Sequence, residues 1–446
     1  MIVSEQNPMT IGTEVWSRAR SKALFDQEQR FIAPGLQTIA LLSELAIERG
    51  RGATLTDVDG RTYLDLNAGV SVASLGHGHP RYVAALTDQL SRVSVGSFTT
   101  RLRADLVRLI AELAPGGLCR TQFFSGGAEA VEAAIRLARS YTKRTDIVGF
   151  MGGFHGKTAG VLPISDVDWK TSVGPQPPGY HLSPYPDPTR YAGSPESCRE
   201  ESLAALRRVL EHEVAGRAAA IVVEPVQGTA GNVVPPPGFL AGVRALASEF
   251  GAMLVADEMI TGFGRTGRMF GCNHEEVVPD IMTVGKGMAS GFPVSAVIST
   301  DEIVAAKPFS LPSASSSSYG GNPLASAAAL VTLQTMADEH LVDNAAGVGR
   351  QLLDGFAEIA GRRRSIARVR GQGLLIGFDL VSPSDSSTPL AKPRCVEFFK
   401  GCLADGLILM GYTPRVRVHP PLVLSSKEAA QALDIVDGAL ARIDAC

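Results

Sequence analysis

Between about residues 118 and 300 the chain alternates short apolar runs with longer stretches whose apolar positions recur every three or four residues. "TQFF" (121–124) precedes a helical pattern over 127–142, and "DIVGFMG" (146–152) follows it. "AAAIVVEP" (218–225) leads to a helical pattern around 238–250 and then to "AMLVADE" (252–258), "DIMTVGK" (280–286) and "PVSAVIS" (293–299). Runs nearly continuous in Val, Ile and Ala, separated by helices, predict a mostly parallel sheet covered on both faces. Upstream, a helical lead-in is followed by "ATLTDVDGRTYLDLNAG", whose Asp-Gly turn between alternating runs predicts a small hairpin. After Asn322 a helix of Ala and Leu runs to about Glu339, and the remainder mixes helices with strands such as "GLLIGFDLV" (373–381). The pattern predicts an α/β fold: a large domain with a mostly parallel sheet flanked by helices, and a smaller α+β domain. The expected division is 1–70, a segment packing with the small domain; 71–335, the large domain; and 336–446, the small C-terminal domain.

Composition narrows the possible partners. The 446 residues are 45% apolar and 20% charged with a formal net charge of −3, which suits a globular protein with a sizeable core. The longest basic block is Arg362–Arg364, so neither nucleic acid nor an anionic membrane is expected as a partner. The N-terminus lacks a basic segment before an apolar core, and the uncharged stretch 308–336 is broken by Ser, Gly and Pro. The cytoplasm is the default location. Six scattered cysteines form no C-x-x-C pair and are expected to be reduced. The His77-x-His79 pair in "LGHGHP" has no further ligands near it in sequence, and no metal site is assigned.

Chemically loaded residues fall where strands end, which is where ligands bind in an open α/β sheet. Ser125-Gly126-Gly127-Ala128 stands between a strand and a helix, where free amides and the helix dipole suit a phosphate. Asp257 closes "AMLVAD" at a depth that demands a partner. Lys286, between two glycines, ends another strand, and "GGFHG" sets the flat face of Phe154 beside His155. The two glycines beside Lys286 are expected to leave backbone room for a ligand. A phosphate cradle, an aromatic plate, a buried carboxylate and a lysine together suit pyridoxal phosphate.

Here a resemblance becomes plain. "LVADEMITGFGRTG" (254–267) followed by "GKG", with "GFHG", "EPVQGTAG", "SYGGNPLA" and "RVHPPL" in order, is similar to the class III (ω- or ornithine/4-aminobutyrate-like) aminotransferases of pyridoxal-phosphate fold type I. The similarity extends from about Thr54 to Leu424. It implies that Lys286 is the Schiff-base lysine and that Asp257 pairs with the pyridinium nitrogen. It further implies that Gly126, Gly127 and Ala128 hold the phosphate, that Phe154 stacks on the ring with His155 beside it, and that Glu224 joins the hydrogen bonds around the cofactor's edge. Ser318 stands where the family commonly has a threonine reaching the neighbouring subunit's phosphate, which implies a homodimer whose sites are completed across subunits. Arg417 matches the arginine that takes a substrate carboxylate.

The implied reaction moves an amino group between an amino donor and an aldehyde or ketone. Three departures weaken a simple ornithine or 4-aminobutyrate assignment. Thr229 replaces the glutamate that neutralises the arginine, Ile260 stands where a glutamine is common, and Met259 replaces a valine. A primary-amine or ω-amino substrate is expected, with an amino-sugar or other antibiotic intermediate as a further option. "SPYPDPTRY" (183–191) is similar to a segment of both 4-aminobutyrate-type and racemase-like members. The alternative is therefore a racemase or epimerase, which needs a second acid–base group; His155 and a cysteine are candidates.

Overall fold

The computed structural model describes residues 18–445; the start of the 1–70 segment and Cys446 lie outside them. Strands β1 (Ile47–Arg51), β2 (Thr54–Asp57) and β3 (Thr62–Asp65) form an antiparallel meander. The β2–β3 turn is the expected Asp-Gly hairpin: Asp57 Oδ1 accepts the amides of Asp59 and Arg61, and Gly60 takes φ +90°.

The central sheet comprises β4 (Arg120–Phe124), β5 (Asp146–Phe150), β6 (Tyr180–Ser183), β7 (Ala218–Val223), β8 (Met253–Asp257), β9 (Ile281–Val284) and β10 (Ser295–Ser299), in spatial order β4-β10-β9-β8-β7-β5-β6. Strands β5 to β9 pair in parallel, and the helix predicted over 127–142 spans Gly127–Thr142. The exception is β10, antiparallel to both β4 and β9. Residues 285–294 between β9 and β10 are too few for a helical crossover, so the chain must turn back. Strands β5, β7, β9 and β10 are buried along their whole length, which is why they read as unbroken apolar runs. The helix Pro323–Asp338 is buried on nearly all sides, against the helices Pro80–Leu90 and Arg101–Leu113, which explains its lack of a polar face.

The C-terminal part holds β11 (Ile366–Gln372), β12 (Leu375–Ser382), β13 (Asp385–Pro389), β14 (Leu407–Ile408) and β15 (Arg415–Val418). Both β11 and β15 pair antiparallel with β12; the helix Leu341–Arg362 packs on β11 and β12, Ser426–Asp444 packs on that helix, and Lys392–Ala404 packs on Ser426–Asp444 and β14. Strand β14 pairs in parallel with β3, so the smaller α+β domain is built from the N-terminal segment and the C-terminal part together. No helix of the described residues is long and apolar enough to cross a membrane.

Candidate active site

The carboxyl ends of β4, β5, β8 and β9 open into one cavity of about 290 Å³. Its lining includes Ser125, Gly127, Ala128, Phe154, His155, Asp257, Met259 and Lys286. At its floor Asp257 is 1% exposed. One oxygen lies 2.6 Å from His155 Nδ1; the other accepts from Thr283 Oγ1 at 2.9 Å and the Met259 amide at 3.1 Å. Burial by itself would raise the Asp257 carboxyl, but the bond and charge of His155, with Lys286 and Thr283, hold it below its ordinary range. Burial likewise opposes a charge on His155, yet Asp257 and Glu224 lift the imidazole above its ordinary value. Both shifts favour the charged forms at the floor.

Lys286 opens a short helical turn (Lys286–Ala289) directly after β9, with φ +39°. Burial holds its amine below the ordinary lysine value, aided by the charge of Arg417 and opposed by Asp257 and Glu224. The two flanking glycines also allow close packing. A Cβ at Gly285 would stand 2.5 Å from the Met259 sulfur, and one at Gly287 would stand 2.6 Å from Ser74 Oγ. Met259, between Gly285 and Gly127, thus fixes how closely the lysine turn approaches the helix N-terminus.

That N-terminus is closed from one side by Glu129, at the third position of the helix. Glu129 Oε2 accepts the amides of Ser125 at 3.0 Å and Gly126 at 2.6 Å, so Gly126, expected to serve the phosphate, gives its N–H to a side chain. Gly127 and Ala128 remain as first-turn residues facing the cavity, where helical amides have no partner within the helix. Gly156, at φ +133°, lets "GFHG" close on this end, since a Cβ there would meet the Ala128 Cβ at 2.5 Å.

Glu224 follows β7 and is buried. Its carboxylate accepts the Phe154 amide at 2.8 Å and the Gly228 amide at 3.2 Å. Burial pushes it up to about 7, with His155 lowering and Asp257 raising it. Arg417 lies on β15 beside Tyr412, whose hydroxyl bonds it; burial lowers the guanidinium below its ordinary value. Thr229 is an exposed loop tip, whereas Ile260 is buried against Gly228. Ser318 is exposed and lies outside the cavity lining.

Other expected features have local partners. His77 bonds Asp65 at 2.9 Å and His79 bonds Glu339 at 3.2 Å. Cys119 is exposed; Cys198, Cys272, Cys395 and Cys402 are buried free thiols, and none lines the cavity. Three buried groups around the site had no role assigned from sequence. Glu258 ties down the amides of Gly271 and Cys272, Arg265 caps the carbonyls of Leu374 and Pro420, and His419 bonds Asn232. Glu258 and Arg265 lie inside the quoted 254–267 motif and His419 inside "RVHPPL", so position was visible while purpose was not.

Comparison with known proteins agrees with this geometry. The family model for aminotransferase class III matches residues 39–440. An acetylornithine aminotransferase of Methanothermobacter thermautotrophicus is 33% identical, over 93% of this chain and 98% of the relative. An alanine/serine racemase of Pyrococcus horikoshii is 34% identical, over 94% of this chain and 90% of the relative. Among solved structures, an (S)-enantioselective ω-transaminase from Thermomicrobium roseum superposes with a TM-score of 0.88 at 31% identity, covering 96% of this chain and 100% of that one. A parallel-sheet core with a lysine, a carboxylate and a helix N-terminus around one cavity, matched along nearly the whole chain, places the protein among the class III aminotransferases, pyridoxal-phosphate-dependent enzymes of fold type I.

Proposed function

We propose that this enzyme transfers an amino group from an amino donor to an aldehyde or ketone, with a primary amine or ω-amino compound as one substrate. The observation that carries the reading is a buried lysine held toward its neutral form in the same cavity as an Asp257–His155 pair shifted toward its charged forms. The residues fit pyridoxal phosphate: Gly127 and Ala128 for the phosphate, the Phe154 ring for a flat face, Asp257 for the pyridine nitrogen, Glu224 at the edge and Lys286 for the aldehyde. When bound, the cofactor supplies an electrophilic aldehyde and a ring that withdraws electrons from the substrate carbon.

The chain's own residues supply the rest. Lys286 Nζ, pushed toward its neutral form by desolvation, would take and return the proton of the carbon bearing nitrogen. Asp257, kept ionised by His155, holds the ring nitrogen protonated. Arg417 binds a substrate carboxylate. With Thr229 in place of a neutralising glutamate, an uncharged substrate end enters only when Arg417 turns aside. Ser318, at the surface of one subunit, reaches the neighbouring subunit's phosphate in a homodimer.

The racemase relative makes isomerisation the second reading. It needs an acid–base group opposite Lys286, and the cavity favours transfer: His155 is committed to Asp257 and, among the described residues, no cysteine lines the wall. Incubation with a chiral amine in deuterated water, without a keto acid, separates the two. Stoichiometric conversion of the cofactor to its amine form supports transfer; racemised substrate carrying deuterium overturns it. The Lys286→Ala protein should lose the cofactor's visible absorption band and nearly all turnover, and retention of both would refute the assignment of the lysine.

A further inference from the structure

Outside the cavity, four arginines converge on two carboxylates. Asp379, on β12, is 1% exposed; Oδ1 accepts from Arg370 Nη1 at 2.9 Å and Oδ2 from Arg368 Nε at 2.7 Å, with Arg190 donating as well. Arg190 and Arg415 each lie 3.8 Å from Asp187. These guanidiniums outnumber the carboxylates, and some of the spare donors go to backbone. Arg370 Nε donates to the Gly231 carbonyl at 2.9 Å, and Arg415 Nη1 donates to the Ala230 carbonyl. Both carbonyls belong to "QGTAG", the loop in which Thr229 replaces the family's glutamate.

From these anchors a continuous hydrogen-bond path runs inward. The Gly231 amide donates to the Gly228 carbonyl at 3.1 Å, the Gly228 amide donates to Glu224 at 3.2 Å, and Glu224 accepts the Phe154 amide at 2.8 Å. The loop's far side is fastened to the same small-domain sheet. Asn232 donates to the Ile376 carbonyl at 2.6 Å, and a Cβ at Gly377 would lie 2.4 Å from the Gly231 oxygen. Each bond of this chain restrains the position of the backbone group that makes the next.

We propose that Arg370 and Arg415 are positioning residues for cofactor binding: they fix loop 228–232 and, through Gly228, hold Glu224 and Phe154 in the arrangement that receives the cofactor. The inference rests on the reading of Phe154 and Glu224 as cofactor contacts. Arg368 supplies an internal control, because it bonds the same Asp379 without touching the loop.

The test uses purified Arg370→Lys, Arg415→Gln and Arg368→Lys enzymes. The pyridoxal phosphate dissociation constant is measured by equilibrium dialysis, thermal midpoints are taken, and kcat and amine KM are measured at saturating cofactor. Arg370→Lys should weaken cofactor binding about tenfold, and Arg415→Gln by a smaller factor, with kcat within about twofold of wild type. Arg368→Lys should keep wild-type cofactor affinity even where its midpoint falls as far. In a cycle with Glu224→Gln, Arg370→Lys should add little further weakening, since both act on one path. Equal weakening by Arg370→Lys and Arg368→Lys, or none by either, overturns the proposal. A Lys286→Ala enzyme that keeps the cofactor band would instead refute the underlying reading of the site, so the two failures are distinguishable.

Discussion

The cavity floor and the arginine cluster each keep a carboxylate charged beneath the surface, by opposite means. Asp257 has one imidazole partner, a threonine hydroxyl and an amide. Asp379 is met by Arg190, Arg368 and Arg370. Burial opposes both charges, and both carboxyls end below their ordinary range. Guanidinium does not titrate in a protein, so the cluster's charge state is fixed over ordinary pH. Imidazole does titrate, so the charge balance at the floor can change. A fixed charge suits a structural anchor; an adjustable one suits a place where protons move.

Substitutions can break this contrast, and the largest effect is expected at the floor. Asp257→Asn removes a preorganised charge and should lower kcat about 100- to 1,000-fold while the chain still folds. Steady-state kinetics with a matched melting curve will show it; a kcat near wild type would mean the carboxylate is structural. Asp379→Asn should act chiefly on stability. It leaves buried guanidinium uncompensated, which costs about 3–5 kcal/mol, to be read from denaturant unfolding. If turnover per folded molecule falls as far as in Asp257→Asn, the division between the two regions fails.

A finer probe is pH. Asp257 has its folded value depressed below 3.8, so its contribution to stability is present above that value and disappears as pH falls through the folded value. His155 has its folded value raised above 6.5, so its contribution is complete below 6.5 and is lost as pH rises through the folded value. The pair therefore stabilises most between those limits, and in melts across pH the His155→Gln protein should lose the alkaline limb of this dependence. The Asp379 cluster has only an acid limb, and an unchanged alkaline limb in His155→Gln would contradict the assignment. The smallest change is expected from Glu224→Gln. Because the folded carboxyl is raised from 4.5 to about 7, ionisation of Glu224 opposes folding as pH climbs through that interval. The glutamine removes that titration but its amide nitrogen cannot accept one of the two backbone N–H groups, so its melting midpoint relative to wild type should rise from pH 4 to pH 8.

The two regions also differ in how far the sequence revealed them. Floor residues follow unbroken apolar runs, and a polar residue at the end of such a run declares its depth. Asp257, Glu224 and Lys286 could therefore be located from the pattern alone, as could the strand-to-helix turn before Gly127–Thr142. The arginine cluster draws Arg190 from a loop, Arg368 and Arg370 from β11, and Arg415 from β15. No periodicity links these positions, because only the tertiary fold brings them together. Local chemistry was only partly legible where two segments compete for one group. The amide of Gly126 is claimed by Glu129, and the glycines flanking Lys286 also answer to Met259 and Ser74. The direction of β10 was missed because an apolar run carries no sign of its polarity; the short connection before it was the available clue.

That short connection has a consequence for anyone wishing to reshape the pocket. Residues 285–294 carry Lys286 at one end and Gly291, Phe292, Pro293 and Val294, all part of the cavity wall, at the other. The reactive amine and a stretch of wall therefore share one tether, anchored by neighbouring antiparallel strands. Trimming or lengthening that wall to admit a bulkier molecule would move the amine in the same stroke. Val72 and Val131 line the same cavity from segments outside this connection, so exchanging them leaves the length of the tether unchanged.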